Sequence, residues 1–237
     1  MRITTTLAWV VAVSALVAGC SKIPAAEPGP TQLTPITPSR GGAATPSPSP
    51  SGPITTTSTV AARPPAAGAP VSAAISWVEA AAPADAADFQ VAIRGGATTS
   101  LGEDVAFTTT SGISCMTDKR RGSAALACLV DLTDPPPQPP DVYGAWKGGW
   151  VDYDGAVVQI GSAHGDPGRF AAGRGVPLPA DRSLSFGDFR CRADATVLVC
   201  VNFARQTAVR YADSGIDTFG CTRREPPTAG IGIEYTC

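Results

Sequence analysis

Histidine is almost missing from this chain: His164 is the only one in 237 residues. No two cysteines stand in C-x2-C spacing, so the common ligand patterns of a structural zinc site are absent. Charged residues make up only 16% of the sequence, and they nearly cancel, 18 basic against 20 acidic. That balance excludes the strongly basic surface needed to displace counterions from nucleic acid phosphates. The two short basic runs, Lys119-Arg120-Arg121 and Arg223-Arg224, read as solvated turns. No apolar run reaches membrane-spanning length either. The longest, residues 7–17, would extend about 16 Å as a helix, against roughly 30 Å of hydrocarbon. A G-x-S-x-G elbow, the usual setting of an α/β-hydrolase nucleophile, does not occur.

What is present begins at the N-terminus. Arg2, the apolar stretch 7–17 and the small residues Ala18-Gly19 ahead of Cys20 form the three parts of an export signal. Leu16-Val17-Ala18-Gly19-Cys20 resembles the bacterial lipobox, in which the cysteine sulfur accepts a diacylglycerol and becomes the mature N-terminus. Residues 1–19 are therefore expected to be a lipoprotein signal peptide. Cys20 is the expected lipidation site, holding the protein to the extracytoplasmic face of the cell membrane.

Residues 20–72 are Pro, Thr, Ser, Ala and Gly in the main, with twelve of the chain's 23 prolines between positions 21 and 70. Such a segment buries too little apolar surface to offset its ordering entropy, so it reads as a disordered tether. The Thr55-Thr56-Thr57-Ser58-Thr59 run suits O-glycosylation of an exported stalk. Residues 73–237 are left for one globular domain, an ordinary size.

Six cysteines remain: Cys115, Cys128, Cys191, Cys200, Cys221 and Cys237. An even number in an exported chain reads as three disulfides. Two stretches look like copies of one another: Ile113-Ser-Cys115 with Leu126-Ala-Cys128-Leu129, and Phe189-Arg-Cys191 with Leu198-Val-Cys200-Val201. An even number of residues separates each pair, so a two-residue turn at the centre (Arg121-Gly122 or Ala195-Thr196) sets the cysteines opposite each other across a hairpin. That pairs Cys115 with Cys128 and Cys191 with Cys200, and leaves Cys221 for Cys237. The fold class expected is α+β and β-rich: antiparallel disulfide-linked hairpins behind one or two short N-terminal helices. The first helix would run over 75–82 and stop at Pro83. Asp85 would cap a second through Arg94, ended by Gly95-Gly96. Strands are predicted at 104–115, 124–131, 150–153, 156–160, 183–191 and 196–203, with Asp154-Gly155 turning a hairpin.

Phe107-Thr-Thr-Thr-Ser-Gly-Ile-Ser-Cys115, Trp150-Val-Asp-Tyr-Asp-Gly155 and Leu184-Ser-Phe-Gly-Asp-Phe-Arg-Cys191 through Cys200-Val-Asn202 together resemble secreted actinobacterial lipoproteins with repeated two-cysteine hairpins. With the lipobox and tether, the resemblance is greatest to mycobacterial lipoproteins of the LppI type. It implies an envelope protein and carries no catalytic residues with it. Unlike many of that group, this chain has no cysteine between Cys128 and Cys191.

Three constellations need weighing. Ser162, His164 and Asp166 lie too close in sequence to converge as a hydrolytic triad, and their glycine-rich setting reads as a surface turn. Asp152-Tyr153-Asp154-Gly155 lacks the third acidic position and the bidentate glutamate of a calcium loop, so no metal is expected there. Tyr143, Trp146, Trp150 and Tyr153 crowd a glycine-rich stretch; they read chiefly as β-core. Tyr143, Trp146 and Trp150 are also the candidates for an exposed face that stacks on a glycan. The function expected is that of a monomeric, lipid-anchored envelope protein acting through binding to an envelope protein or glycan, not through catalysis. No catalytic residue, cofactor, metal or nucleic acid partner is expected. The alternative is an extracytoplasmic hydrolase whose site the sequence does not reveal.

Overall fold

Alternation of apolar and polar residues, broken every few positions by glycine or aspartate, is the pattern of many short strands, and the computed structural model is built from them. It describes residues 63–119, 123–163 and 168–237. The leader, Cys20, most of the tether, the Arg121-Gly122 turn, His164 and Asp166 lie outside the described residues. In chain order the elements are α1 (Val71–Glu79), β1 (Ala82–Pro83), β2 (Val91–Arg94), β3 (Ala97–Ser100), β4 (Ala106–Thr108), β5 (Ser114–Asp118), β6 (Ser123–Leu129), β7 (Trp146–Tyr153) and β8 (Val157–Ala163). There follow β9 (Val176–Pro177), β10 (Arg182–Phe186), β11 (Phe189–Ala193), β12 (Leu198–Asn202), β13 (Thr207–Ala212), β14 (Gly215–Phe219), β15 (Arg223–Glu225) and β16 (Ile231–Thr236).

These strands make a sandwich, which corrects the expectation of simple hairpins behind N-terminal helices. One sheet has six strands in the order β1-β10-β11-β12-β13-β14, the other eight in the order β15-β16-β8-β7-β6-β5-β4-β9. The expected second helix is also overturned. Only one 3-10 turn, Ala86–Phe89, forms there, with Asp85 accepting from the Ala87 amide. Val91–Arg94 is a strand paired with β3. Gly95 and Gly96 both adopt positive φ, 57° and 83°. That is the backbone of a two-residue hairpin turn, so the glycine pair reverses a strand and does not stop a helix. The predicted strand 183–191 is likewise two strands, because Gly187 at φ 50° and Asp188 turn β10 back onto β11.

The repeat seen around the cysteines extends much further. β4 to β8 and β10 to β14 are each a meander of antiparallel neighbours, with the disulfide joining its second and third strands. Aligned on the cysteines, Phe107 and Leu184 stand opposite the first cysteine, Val151 and Val209 opposite the second. Tyr153 and Tyr211 follow two residues later, paired with Val158 and Ile216 on the fifth strands. All these side chains face inward and form the main core between the sheets.

The leading segments are exchanged. α1 and β1 precede the first meander, yet β1 lies parallel beside β10, and Trp77 and Val78 of α1 pack on Val199, Val201 and Ala208 of the second. The 3-10 segment Gly168–Ala172 and β9 precede the second meander, yet β9 lies parallel beside β4, and Phe170 packs with Met116, Ala127 and Trp150 of the first. Arg192 fastens α1 from below. Its guanidinium carbon sits 4.1 Å from the centre of the Trp77 ring, while its nitrogens donate to the Trp77 carbonyl at 2.6 Å and to Asp181 at 3.1 Å.

Cys115–Cys128 and Cys191–Cys200 have Cα separations of 4.1 and 4.0 Å and all four cysteines are fully buried. Cys221–Cys237 is exposed and ties the start of β15 to the end of β16. Each crosslink contributes about 2.5–3 kcal/mol in the chain-entropy account. Burial predicts a sharp order of accessibility. With a mild reductant and an alkylating agent under native conditions, mass mapping should find label on Cys221 and Cys237 alone, and on the other four only after denaturant is added.

The equivalent tyrosines are unequally served. The Tyr153 hydroxyl hydrogen-bonds Thr207 Oγ1 at 2.7 Å, whereas Tyr211 Oη has no hydrogen-bond partner among the described residues. Burial pushes both phenols well above their ordinary pKa. Tyr153→Phe should therefore lower unfolding stability by about 1–2 kcal/mol, and Tyr211→Phe should change it by less than about 0.5 kcal/mol or raise it, measured by urea denaturation.

Candidate functional site

Along β7 the parity that sends Val151 and Tyr153 into the core sends Trp150, Asp152 and Asp154 to the other face of the sheet. Trp150 is nevertheless fully buried, because Phe170 crosses its ring edge-on at 5.4 Å. Its indole Nε1 donates to Asp152 Oδ2 at 2.8 Å. Asp152 Oδ1 lies 3.6 Å from Arg169 Nη2, with only 17% and 14% of the two side chains exposed. Arg169 also donates to the Ala125 carbonyl at 3.0 Å. The segment that carries Arg169 is the exchanged 3-10 turn, so this ion pair joins the lead of the second half to the sheet of the first.

The row continues across the sheet. Gln159 on β8 stands opposite Asp152, and Glu234 on β16 opposite Gln159. Gln159 Nε2 donates to Glu234 Oε2 at 2.7 Å, and Thr228 Oγ1 donates to the same oxygen at 2.9 Å. Burial alone would raise the Glu234 pKa, but these donors and the Thr228 backbone hold it below the ordinary carboxylate range. Asp154 begins the β7–β8 turn, its Oδ1 accepting the Ala156 and Val157 amides at 2.8 Å each. Asp194 repeats that turn between β11 and β12, with Thr196 and Val197 as donors.

Together Ala125, Asp152, Asp154, Val157, Gln159 and Arg169 line a recess of about 250 Å³. Arg169 separates it from a second of about 200 Å³, lined in part by Asp104, Met116 and Thr117. Asp154 also borders a third of about 190 Å³ at the mouth of the sandwich, where Phe186, Phe189 and Asn202 contribute. Among the described residues no group of three or more His, Cys, Asp or Glu is placed to hold a metal ion.

The aromatic residues singled out in the sequence are scattered by the fold. Trp150 and Tyr153 are both fully buried, on opposite faces of the sheet, so Trp150 is not a ligand-facing ring. Trp146 is half-buried, its Nε1 donating to the Pro136 carbonyl at 3.0 Å. The Pro135-Pro136 step can lie here because Gly148, Gly161 and Gly232 offer no side chains to block it; a Cβ on any of them would meet a proline atom within 3 Å. Tyr143 alone stands out in solvent, 90% exposed. Ser162 is buried on β8. Arg169, Gln159 and Glu234 were not singled out in the sequence. Only the alternation along β7 and β8 hinted that Asp152 and Gln159 share a face, and nothing local tied either to Arg169.

Compared with family models, curated proteins and solved structures, the chain matches none.

The near-buried ion pair makes its own prediction. Arg169→Met should cost about 2–3 kcal/mol of stability in urea denaturation, and adding Asp152→Asn should recover part of that loss, a coupling read from the double-mutant cycle.

Proposed function

We propose that this chain is a lipid-anchored protein of the cell envelope, attached through Cys20 and acting through binding by the folded domain at the end of its tether. The observation that carries the location is the interior of the sandwich. Cys115–Cys128 and Cys191–Cys200 are disulfides buried between the two sheets, and a core built on oxidised sulfur matures in an oxidising space. The leader ending at Cys20 and the resemblance to LppI-type lipoproteins point the same way.

Binding is favoured over hydrolysis by how the ionisable groups of the recess are held. Asp152 is paired with Arg169 and the Trp150 indole, and Asp154 is tied to two turn amides. Groups fixed in this way present hydrogen bonds in set directions, which suits recognition.

The test is fractionation of Cys20→Ala against the native chain in a bacterial host that processes lipoproteins. The native protein should partition into the detergent phase with a mass increased by its acyl chains, and the variant should not. A variant that stays in the detergent phase at the native mature mass overturns the anchor. Recovery of the native protein from cytosol with all six remaining thiols free overturns the location. A pull-down from the cell envelope with the native chain, compared with a lipidated chain that ends at residue 72, tests the binding role: capture by the native chain alone supports it, and capture by both or by neither overturns it.

A further inference from the structure

Resting on that binding role, we propose that the recess bounded by Asp152, Asp154, Gln159 and Arg169 takes a neutral polyhydroxyl ligand, a single sugar ring or the end of a saccharide chain. Its volume of about 250 Å³ lies below the roughly 300–1,000 Å³ of pockets for drug-sized molecules, which favours one ring over an extended ligand. Beside Ala125 and Val157, its walls are planar hydrogen-bonding groups: two carboxylates, an amide and a guanidinium.

Each of these groups is held by a neighbour. Trp150 and Arg169 fix Asp152, the Ala156 and Val157 amides fix Asp154, Glu234 fixes Gln159, and the Ala125 carbonyl fixes Arg169. Hydrogen-bonding capacity remains on two of the lining residues. Asp154 makes its turn bonds through one oxygen and Gln159 bonds Glu234 through one amide hydrogen, leaving the second Asp154 oxygen, the Gln159 carbonyl and its other N–H to a ligand. The recess thus offers both donors and acceptors. A hydroxyl both donates and accepts, so a polyol can satisfy such a recess, whereas an ion of either sign satisfies only half of it.

Charge agrees with this choice. Arg169 offsets one of the two aspartates, which leaves too much negative charge for a phosphate and a fixed cation in the way of a diamine. The groups are already held in place, so binding loses little side-chain freedom.

The experiment is saturation-transfer NMR on the full chain in a sugar-free zwitterionic detergent. D-glucose, D-galactose, D-mannose and N-acetyl-D-glucosamine serve as separate probes, with putrescine and inorganic phosphate as the ionic counterparts. At least one sugar should show transfer, and both ions none. Gln159→Met and Asp154→Asn, the second of which keeps an oxygen for the turn, should each weaken sugar binding by about five- to tenfold. Should Gln159→Met fail to fold, as judged by circular dichroism, Asp154→Asn decides.

Absence of transfer from all four sugars overturns the proposal. So does sugar transfer of native strength in a folded variant, or a variant-sensitive signal from putrescine or phosphate alone. If the sugars fail while the pull-down succeeds, the ligand class falls and the binding role stands.

Discussion

Strand parity governs this molecule. In each meander a disulfide locks the second strand to the third at one register, and because side chains alternate, that one choice decides the facing of every residue on both strands. Cys115 opposite Cys128 and Cys191 opposite Cys200 put sulfur in the core. Phe107, Val151 and Tyr153 follow inward in one half; Leu184, Val209 and Tyr211 follow in the other. A slip of one residue would break the crosslink and turn the apolar set to solvent. The outer faces inherit the same constraint, so the row Asp152, Gln159 and Glu234 is a by-product of where the cysteines point.

The two halves are alike in their strands and exchanged in their leads. Each lead supplies a large ring and the other half's sheet accepts it: Trp77 of α1 over the second, Phe170 over the first. An arginine fastens both contacts, Arg192 beneath Trp77 and Arg169 beside Phe170. The first outer face is also covered by Ala92 of β2 and Leu101 from its own half, but Phe170 and α1 come from the opposite halves, so both faces are fully closed only when both halves are present.

Their differences matter more for function than their likeness. On the fourth strand of the first half the residue between valine and tyrosine is Asp152, whose partner arrives from another segment. In the second half that position is Arg210, which pairs with Asp217 on the adjacent strand, Nε to Oδ2 at 2.8 Å. The cross-strand pair lies flat on its sheet. The Asp152–Arg169 pair instead bridges two elements, and the space between them is the recess. Another asymmetry lies in the core. Thr207 serves Tyr153, but the corresponding place before Trp150 is Gly149, where a Cβ would fall 1.9 Å from the Val130 carbonyl oxygen. No side chain fits there, so the first half carries no counterpart of Thr207.

The cysteine spacing pointed to the two hairpin disulfides: β11 and β12 keep one register to the Ala195-Thr196 turn, while β5 and β6 shift register between Thr117 and Asp118 and still set Cys115 opposite Cys128. The Asp154-Gly155 turn and the inward course of Tyr153 were equally local matters, legible from alternation. What the tertiary structure decided is everything that joins distant segments. Gly95-Gly96 suits a helix end or a hairpin equally well by composition, and only the strand partner Ala97–Ser100 resolves it. Trp150 and Tyr143 sit seven residues apart in the same glycine-rich stretch, yet one is sealed and the other bare. The reason is that burial is set by what packs on top. Phe170 and Arg169 arrive over Trp150 from a later part of the chain, through an exchange of leads that no local pattern encodes.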